Sequence, residues 1–193
     1  MNHRSFKKVP TTNILNTALN LFSSKGYSET KMVEIAGGAG LSVGALYLRF
    51  KNKEDLCLAL IKDQTTDFNE KVRNLPQDDP GKALDKYIAL NLECSLQKRQ
   101  LLSLFFKEHN LPFLHPLRKQ FFSEQHRIIA DILTSGIKKS VFRPLDIKET
   151  ASIIFASIRG AVLLKIIFGI GDIKKMGDSL FDLVTHGIGK EAQ

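Results

Sequence analysis

The chain has 193 residues, 43% of them hydrophobic and 25% charged, which is the composition of an ordinary soluble globular protein with its own core. Its cysteines form no CxxC pair and its N-terminus lacks an apolar segment, so we expect no disulfide framework, no secretory signal and a cytoplasmic location. Its formal net charge of +8 is concentrated in residues 1–53, which carry eight Lys and Arg residues against two acids. Charge alone fits a nucleic-acid partner and a merely solvated basic face equally well.

Helical patterns occupy the chain from beginning to end, and no alternating apolar run predicts a β-strand. The spacing predicts a first helix over 12–25, whose apolar residues return with a period of 3.6 along one face. Thr11 or Thr12 can cap its start, and Gly26 can end it in the left-handed conformation.

The next stretch predicts three further helices, each with a capping residue before it. A short second helix follows the N-cap Thr30, and Gly40 supplies a positive φ in the turn that ends it. Ser42 caps the third helix, and Asn52 caps the fourth, with Asp55 placed for a capping box. We expect the fourth helix to run to about residue 73, where prolines and aspartates mark a break.

Five more helices complete an all-α chain of about nine helices. The predicted ranges are 81–96, 98–109, 113–139, 147–168 and 173–188. The segment Ala151–Gly171 is apolar enough to suggest a membrane span. Arg159 and Lys165 would then lie deep in the bilayer, so we interpret it instead as a helix buried between helices or at a subunit interface.

Residues 30–50, TKMVEIAGGAGLSVGALYLRF, carry the motif that indicates a function. Two short helices joined by a glycine-containing turn form a helix-turn-helix, and small Ala36 permits a close crossing of the two. A third helix this slim fits the major groove of DNA, where base edges can be distinguished. Its exposed side would carry Val43, Gly44, Ala45, Tyr47 and Leu48, with Arg49 at its end.

Residues 13–56 resemble the DNA-binding head of the TetR family of regulators. The shared residues are Ile14-Leu15, Ala18, Leu21-Phe22, Gly26-Tyr27, Thr30, Ile35-Ala36, Ala39-Gly40-Leu41-Ser42, Gly44, Leu46-Tyr47, Phe50, Lys53-Glu54 and Leu56. The resemblance covers roughly a quarter of the chain, and the length and helix count of the rest also fit the family. It implies a three-helix DNA-binding head over 1–53, with the motif at about 31–50. A helical domain for effector binding and dimerisation would occupy 54–193.

The resemblance also implies which residues contact DNA, with two copies each placing a third helix on half of a palindromic operator. Carried over by position, the contacts to the DNA backbone and phosphates are Thr30, Lys31, Ser42, Tyr47 and Lys53. The base-facing residues are Val43, Gly44, Ala45 and Leu48, and Arg49 is a further candidate for specificity.

Two features lie outside this core of the resemblance. Arg4, Lys7 and Lys8 could act as an arm that enters a minor groove. Gly37 and Gly38 stand where the family usually has charged or polar helix formers, and each costs ~1 kcal/mol relative to Ala. We therefore expect the end of the second helix to be loose in the free protein.

The body is rich in phenylalanine, which predicts either plain core packing or an apolar cavity. The resemblance favours the cavity, since this body usually holds the effector pocket, and we expect a small hydrophobic effector such as an acyl chain or an aromatic compound. The candidate lining residues are Leu101, Leu104, Phe105, Phe113, Leu114, Phe121 and Phe122. The family's usual mode is repression that the effector relieves, so we expect a repressor.

The two helices 147–168 and 173–188 form the predicted homodimer interface, because small residues lie among large apolar ones. Paired with their symmetry mates they would make a four-helix bundle. The candidate interface residues are Ile153, Ile154, Ser157, Gly160, Ala161, Leu164 and Phe181.

No motif predicts catalysis, a cofactor or a metal site. The histidines and acids of 108–126 match no zinc-site spacing, and no nucleophile elbow or phosphate loop appears. Cys57 and Cys94 are interpreted as small buried apolar residues rather than redox sensors. The alternative function is a helical adaptor without a DNA partner, from which steeply salt-dependent duplex binding separates a regulator.

Overall fold

The computed structural model describes residues 9–107 and 111–188, apart from the side chains of Ser103, Phe105, Phe106, Lys107 and Ile188. Within this part the chain is all-α, as predicted, with nine α-helices, one 3₁₀ turn and no β-strand. The elements are α1 (Thr11–Lys25), α2 (Met32–Gly38), α3 (Val43–Tyr47), α4 (Lys53–Arg73), α5 (Pro80–Gln97), α6 (Arg99–Lys107), a 3₁₀ turn (Pro112–Leu114), α7 (His115–Lys138), α8 (Ile147–Phe168) and α9 (Ile173–Ile188).

The described residues form two compact units. The first unit runs to Thr66 and includes the residues between Gln100 and Pro112; the second comprises Asp67–Arg99 and the residues from Phe113 onwards. In the first unit, α6 is joined to α1 by a hydrogen bond from Gln100 Nε2 to Asn20 Oδ1 (3.3 Å). The head and body predicted from sequence, divided after residue 53, stay a prediction.

The ends of α1 differ from the prediction. The helix begins at Thr11 behind Pro10, and neither Thr11 nor Thr12 caps it with a side chain. Gly26 follows the helix with φ 93° and ψ 156°, which is an extended rather than a left-handed helical conformation. Only glycine tolerates this combination at low cost.

The turn between α2 and α3 follows the prediction more closely. Gly40 has the predicted positive φ of 71°, and the backbone N–H of Ala45 donates to the Ser42 hydroxyl (3.2 Å), which caps α3. The cap of α2 was predicted wrongly, since Lys31 and not Thr30 precedes the helix. The Lys31 N–H donates to the Glu34 carboxylate one turn later (2.7 Å).

Asn52 caps α4 as predicted, with the N–H of Asp55 donating to its Oδ1 atom (2.7 Å). The Asp55 carboxylate reaches back one residue further than a capping box requires, and accepts from the N–H of Lys51 (2.9 Å). The two carboxylates of Glu54 and Asp55 thus already occupy the positive end of the α4 dipole.

Gly37 and Gly38 lie within α2, and only the second has a packing role. A Cβ atom on Gly38 would lie 2.8 Å from Cγ2 of Thr17 on α1, whereas a Cβ on Gly37 would meet nothing within 4 Å. Gly38 therefore lets α1 and α2 approach closely. The predicted looseness of this helix end in the free protein stays a prediction.

This difference makes the two glycines a matched pair for mutation. We expect Gly37→Ala to raise the free energy of unfolding by about 0.5–1 kcal/mol, because alanine is the better helix former and its methyl group has room. Gly38→Ala gains the same propensity but forces Thr17 and α1 to shift, so we expect no stabilisation. Urea unfolding of both variants measures this, and equal stabilisation by both would contradict the close approach.

The second unit is built on α5, α7, α8 and α9, which pack against one another. α8 buries one face that includes Ile154, Ile158 and Val162. It is the one described helix that is long and apolar enough to span a membrane. Length and composition do not establish a span, because core helices of soluble proteins pass the same test.

Candidate functional site

The helix-turn-helix is held together by apolar contacts at the crossing of α2 and α3. Ile35, Ala36 and Leu46 are fully buried, and the turn is closed by the Leu41 N–H, which donates to the Ala36 carbonyl (2.8 Å). Burial of Leu46 fixes the rotation of α3 about its own axis. The opposite side of α3 is consequently turned away from the core of the first unit.

The exposed side of α3 carries the residues that the sequence predicts to face DNA bases. Val43 and Gly44 are exposed, Ala45 is half-buried, and Tyr47 and Leu48 are 50% and 89% exposed. A single exposed leucine is ordinary, but here it adjoins a second exposed apolar residue and an exposed tyrosine on a helix of five residues. This slim apolar surface is available to another molecule.

Two predicted backbone contacts are also available. Lys31 is exposed, and the Ser42 hydroxyl accepts one hydrogen bond within α3 while its own O–H remains able to donate. Lys51, to which the sequence assigned no role, is exposed just beyond α3. Its position next to predicted contacts is visible only once α3 and α4 are placed.

Thr30 lies elsewhere than predicted, because its side chain is 1% exposed. The hydroxyl donates to the Gly26 carbonyl (2.7 Å) and closes the loop between α1 and α2. Its side chain is therefore part of the core of the first unit and does not reach a DNA backbone.

The Lys53 side chain also differs from the prediction of a phosphate contact. Its Nζ atom donates to the carbonyls of Tyr27 (2.7 Å), Ser28 (3.1 Å) and Thr30 (2.9 Å). It also lies 4.4 Å from the centre of the Tyr27 ring. An ammonium has three N–H donors, and all three are directed at backbone carbonyls. Lys53 thus ties the start of α4 to the loop between α1 and α2.

Arg49 has a structural contact as well. Its Nη1 atom donates to the Val9 carbonyl (2.6 Å), which holds the residues before α1 against the end of α3. Arg49 is half-buried. The predicted arm of Arg4, Lys7 and Lys8 lies outside the described residues.

Lys53 and Lys51 provide a test of the contact between Lys53 and the loop between α1 and α2. Lys53→Met removes the ammonium from three carbonyls, of which only that of Tyr27 keeps a backbone donor among the described residues, the Thr30 N–H, so we expect the free energy of unfolding to fall by about 1–3 kcal/mol. Lys51→Met removes an exposed lysine of the same region and should change stability little. Urea unfolding compares the variants, and an unchanged Lys53→Met protein would show that water replaces the ammonium at no cost.

The residues predicted to line an effector pocket are divided between the two units. Leu101 and Leu104 are buried in the first unit, and the side chain of Phe105 lies outside the described part. In the second unit Leu114 is buried, Phe113 and Phe121 are half-buried, and Phe122 is exposed. A cavity of about 450 Å³ in the second unit is lined by other residues, from the end of α4, the start of α5 and α7, including Val72, Ala83 and Arg127.

A polar cluster within the second unit was missed by the sequence analysis. Tyr87 donates its hydroxyl hydrogen to Gln125 Oε1 (2.8 Å), and Asn91 Nδ2 donates to the Tyr87 carbonyl (3.0 Å). Arg159 on α8 reaches this cluster through Nη2, at 3.4 Å from Asn91 Oδ1. Burial raises the pKa of the Tyr87 hydroxyl, so it stays a neutral donor. In the sequence, Arg159 served only as an argument against a membrane span.

The surroundings of Arg159 are otherwise aromatic. Its guanidinium carbon lies 5.2 Å from the centre of the Phe121 ring and 5.1 Å from that of Phe155. Its Nε atom is buried without a hydrogen-bond partner among the described residues. Leaving a buried donor unsatisfied costs about 1–3 kcal/mol, and more when the group is charged. Burial also lowers the pKa of Arg159, because removal from water disfavours the charged form.

The predicted interface residues of α8 divide between its two faces. Ile153 is 64% exposed and Leu164 is also exposed, while Ser157 and Gly160 are half-buried, as is Phe181 on α9. Ile154 and Ala161 lie on the buried face and pack inside the second unit, so they are not on an exposed surface. The exposed face adds large apolar residues that the sequence analysis did not include: Leu163, Ile167, Phe168 and, on α9, Leu183.

Residues 14–60 match a protein family described as bacterial regulatory proteins, tetR family. This range begins on the buried face of α1, contains all of α2 and α3, and ends within α4. The match therefore covers the helix-turn-helix and the elements that support it.

Similar proteins extend the comparison along the chain. The fatty acid metabolism regulator protein of Bacillus subtilis (strain 168) is 26% identical over 189 residues, covering 91% of this chain and 93% of that protein. The uncharacterized HTH-type transcriptional regulator YerO of the same organism is 31% identical over 113 residues, which cover 56% of this chain but only 39% of YerO.

A solved structure shows the same fold. The transcriptional regulator FadR from Bacillus subtilis, in complex with stearoyl-CoA, has a TM-score of 0.77 at 23% identity. The match covers 93% of this chain and 100% of that chain. The helix-turn-helix and the helical remainder of the chain thus both have counterparts in transcriptional regulators.

Proposed function

The chain belongs to the tetR family of bacterial regulatory proteins, and from this premise we propose that it is a repressor that binds a palindromic operator as a homodimer. The observation that carries the proposal is the exposed side of α3 on a helix-turn-helix whose rotation is fixed by buried Leu46. The protein is a DNA-binding transcriptional regulator. Its relatives are regulators rather than enzymes, and we propose that it has no catalytic activity and acts in the cytoplasm.

Specific binding would come from the apolar side of α3. Val43 and Leu48 can contact thymine methyl groups in the major groove, and Gly44 leaves room for close approach of the helix. Lys31, Ser42 and Tyr47 would contact phosphates and fix the position of α3. One helix of five residues reads few base pairs, so two copies about 34–36 Å apart are needed for a specific site.

The exposed face of α8 would join the two copies. Ile153, Gly160, Leu164 and Ile167 follow one another at helical spacing along this face. A face of this kind buries its apolar area when a symmetry mate packs against it. A Cβ atom added to Gly160 would meet nothing within 4 Å, so two backbones could approach closely at this point.

The proposed effector is a small apolar molecule that binds in the body and releases DNA. FadR, which shares the fold, was solved with stearoyl-CoA, and the similar Bacillus protein regulates fatty acid metabolism by name. We therefore propose an alkyl chain as the apolar part of the effector. Differential affinity of the effector for two arrangements of the dimer would change its affinity for DNA.

The first experiment is binding of the purified protein to its own upstream intergenic DNA and to a scrambled duplex across a salt series. We expect a preference of ~10³-fold or more for the upstream sequence and a two-fold-symmetric footprint. Affinity for both duplexes should fall steeply with salt. Weak binding to both that does not respond to salt would favour the adaptor function.

Substitutions on the head should separate base from phosphate contacts. We expect Leu48→Ala to reduce the preference for upstream over scrambled DNA by about 1–3 kcal/mol. Lys31→Met should weaken binding to both duplexes alike and reduce the salt slope by ~1. Leu96→Ala, at an exposed leucine of α5, is the control. Fluorescence anisotropy measures all three, and a loss of preference in the control would undermine the assignment to α3.

Gly160→Leu tests the proposed dimer without disturbing the single chain. The larger side chain meets no described atom within 4 Å at its Cβ position and improves helix propensity, so we expect the fold to be retained. It would hold two α8 helices apart, so the dimer dissociation constant should rise ~10-fold or more. Sedimentation across a concentration series measures this, with Leu96→Lys as the control; unchanged association would place the interface elsewhere.

A further inference from the structure

Arg159 is a cation in the second unit with no acid to pair with among the described residues. No described ion pair involves it, its Nε atom is buried without a partner, and the interaction of Nη2 with Asn91 is long at 3.4 Å. Charged side chains inside proteins are normally paired or hydrogen-bonded throughout, because an isolated charge is costly to bury. A guanidinium that no described residue pairs with can accept an anionic partner.

The free edge of the guanidinium has a definite shape. Nε and Nη2 lie on the same edge, and two donors in this arrangement match the two oxygens of a carboxylate or phosphate. Within the part of the chain that the structure describes, Nε has no acceptor, and Nη2 has only its long contact with Asn91. An anion that binds this edge would replace only the long contact of Nη2 with Asn91.

The surroundings of this edge suit a molecule with both a charged and an apolar end. Phe121 and Phe155 lie beside the guanidinium, and Phe122 packs edge-on against Phe155 with ring centres 5.3 Å apart. Phe122 is exposed, and Arg159 itself is only partly buried. The aromatic cluster around the cation thus extends to the protein surface at Phe122.

We propose that Arg159 binds the anionic head group of the effector, a carboxylate or a phosphate, while Phe121, Phe122 and Phe155 contact the apolar chain attached to it. The alkyl nature of that chain rests on the proposed function, whereas the head group is inferred from Arg159 alone. The effector is then an acidic amphiphile rather than a neutral hydrophobic compound. Neutral molecules of the same length leave the guanidinium edge without a partner and bind more weakly.

The test is direct binding to the full-length protein, measured by isothermal titration calorimetry with dodecanoate, dodecanol and dodecanoyl-coenzyme A below their aggregation concentrations. We expect the protein to bind at least one of the two anionic compounds about tenfold or more tightly than dodecanol. Preference for dodecanoate identifies a carboxylate as the head group, and preference for the coenzyme A ester identifies a phosphate. Equal affinity for all three compounds, or no binding of any, overturns the proposal.

Arg159→Met should remove this preference and leave the affinity for dodecanol unchanged. Lys165→Met is the matched control, because Lys165 is a second cation on α8 whose Nζ donates to the Gly171 carbonyl (2.9 Å). A purely structural role for Arg159 predicts loss of dodecanol binding as well, and that result overturns the proposal, as does an unchanged preference. Circular dichroism verifies folding. If Arg159→Met does not fold, the affinities of the wild-type protein for dodecanoate and dodecanol still test the proposal.

These measurements need no DNA, so their failure is distinguishable from failure of the proposed function. A protein that prefers its upstream DNA but shows no preference for anionic compounds is a repressor without the proposed head-group site. A protein that binds the anionic compounds through Arg159 but not DNA retains the site and loses the repressor assignment.

Discussion

Burial of Leu46, where α3 packs on α2, is the constraint on which the DNA-facing surface depends. A helix of five residues has little stability of its own, so its orientation must come from tertiary packing. With Leu46 inside, Leu48 two residues later faces outward. The same packing explains why so apolar a surface is tolerated, because no rotation of α3 can hide Leu48 without exposing Leu46.

The two units use polar groups in opposite ways. In the first unit the buried Thr30 hydroxyl and the Lys53 ammonium satisfy carbonyls of one loop, so the cost of removing them from water is offset by local hydrogen bonds. In the second unit the cluster of Tyr87, Asn91 and Gln125 is satisfied, but Arg159 beside it is not satisfied by any described residue. Tyr87, Asn91 and Gln125 form a structural network because their hydrogen bonds are made within the protein. Arg159 retains a donor that a ligand could use, which is what distinguishes a binding site from such a network.

The sequence predicted the helices well because caps, glycines and the helical period are local signals. Gly40 and Ser42 were assigned correctly for this reason. The contacts of Lys53 with backbone carbonyls could not be predicted in this way, since its partners lie in a loop more than twenty residues earlier and no local pattern encodes them. On α8 apolar residues occur all around the helix, so periodicity could not tell buried Ile154 from exposed Ile153. The contact between Arg159 and the aromatic rings could not be predicted from periodicity either, because the rings lie on other turns and helices that only the fold brings together.

The engagement of Lys53 has a consequence for its chemistry. An acylating reagent must reach the side-chain nitrogen, and the Lys53 nitrogen is in contact with three carbonyls and a tyrosine ring. It should therefore resist labelling while exposed Lys51, two residues away, is labelled readily. Reactivity at Lys53 would then report transient opening of the loop between α1 and α2, which makes this lysine a native sensor of local unfolding in the head.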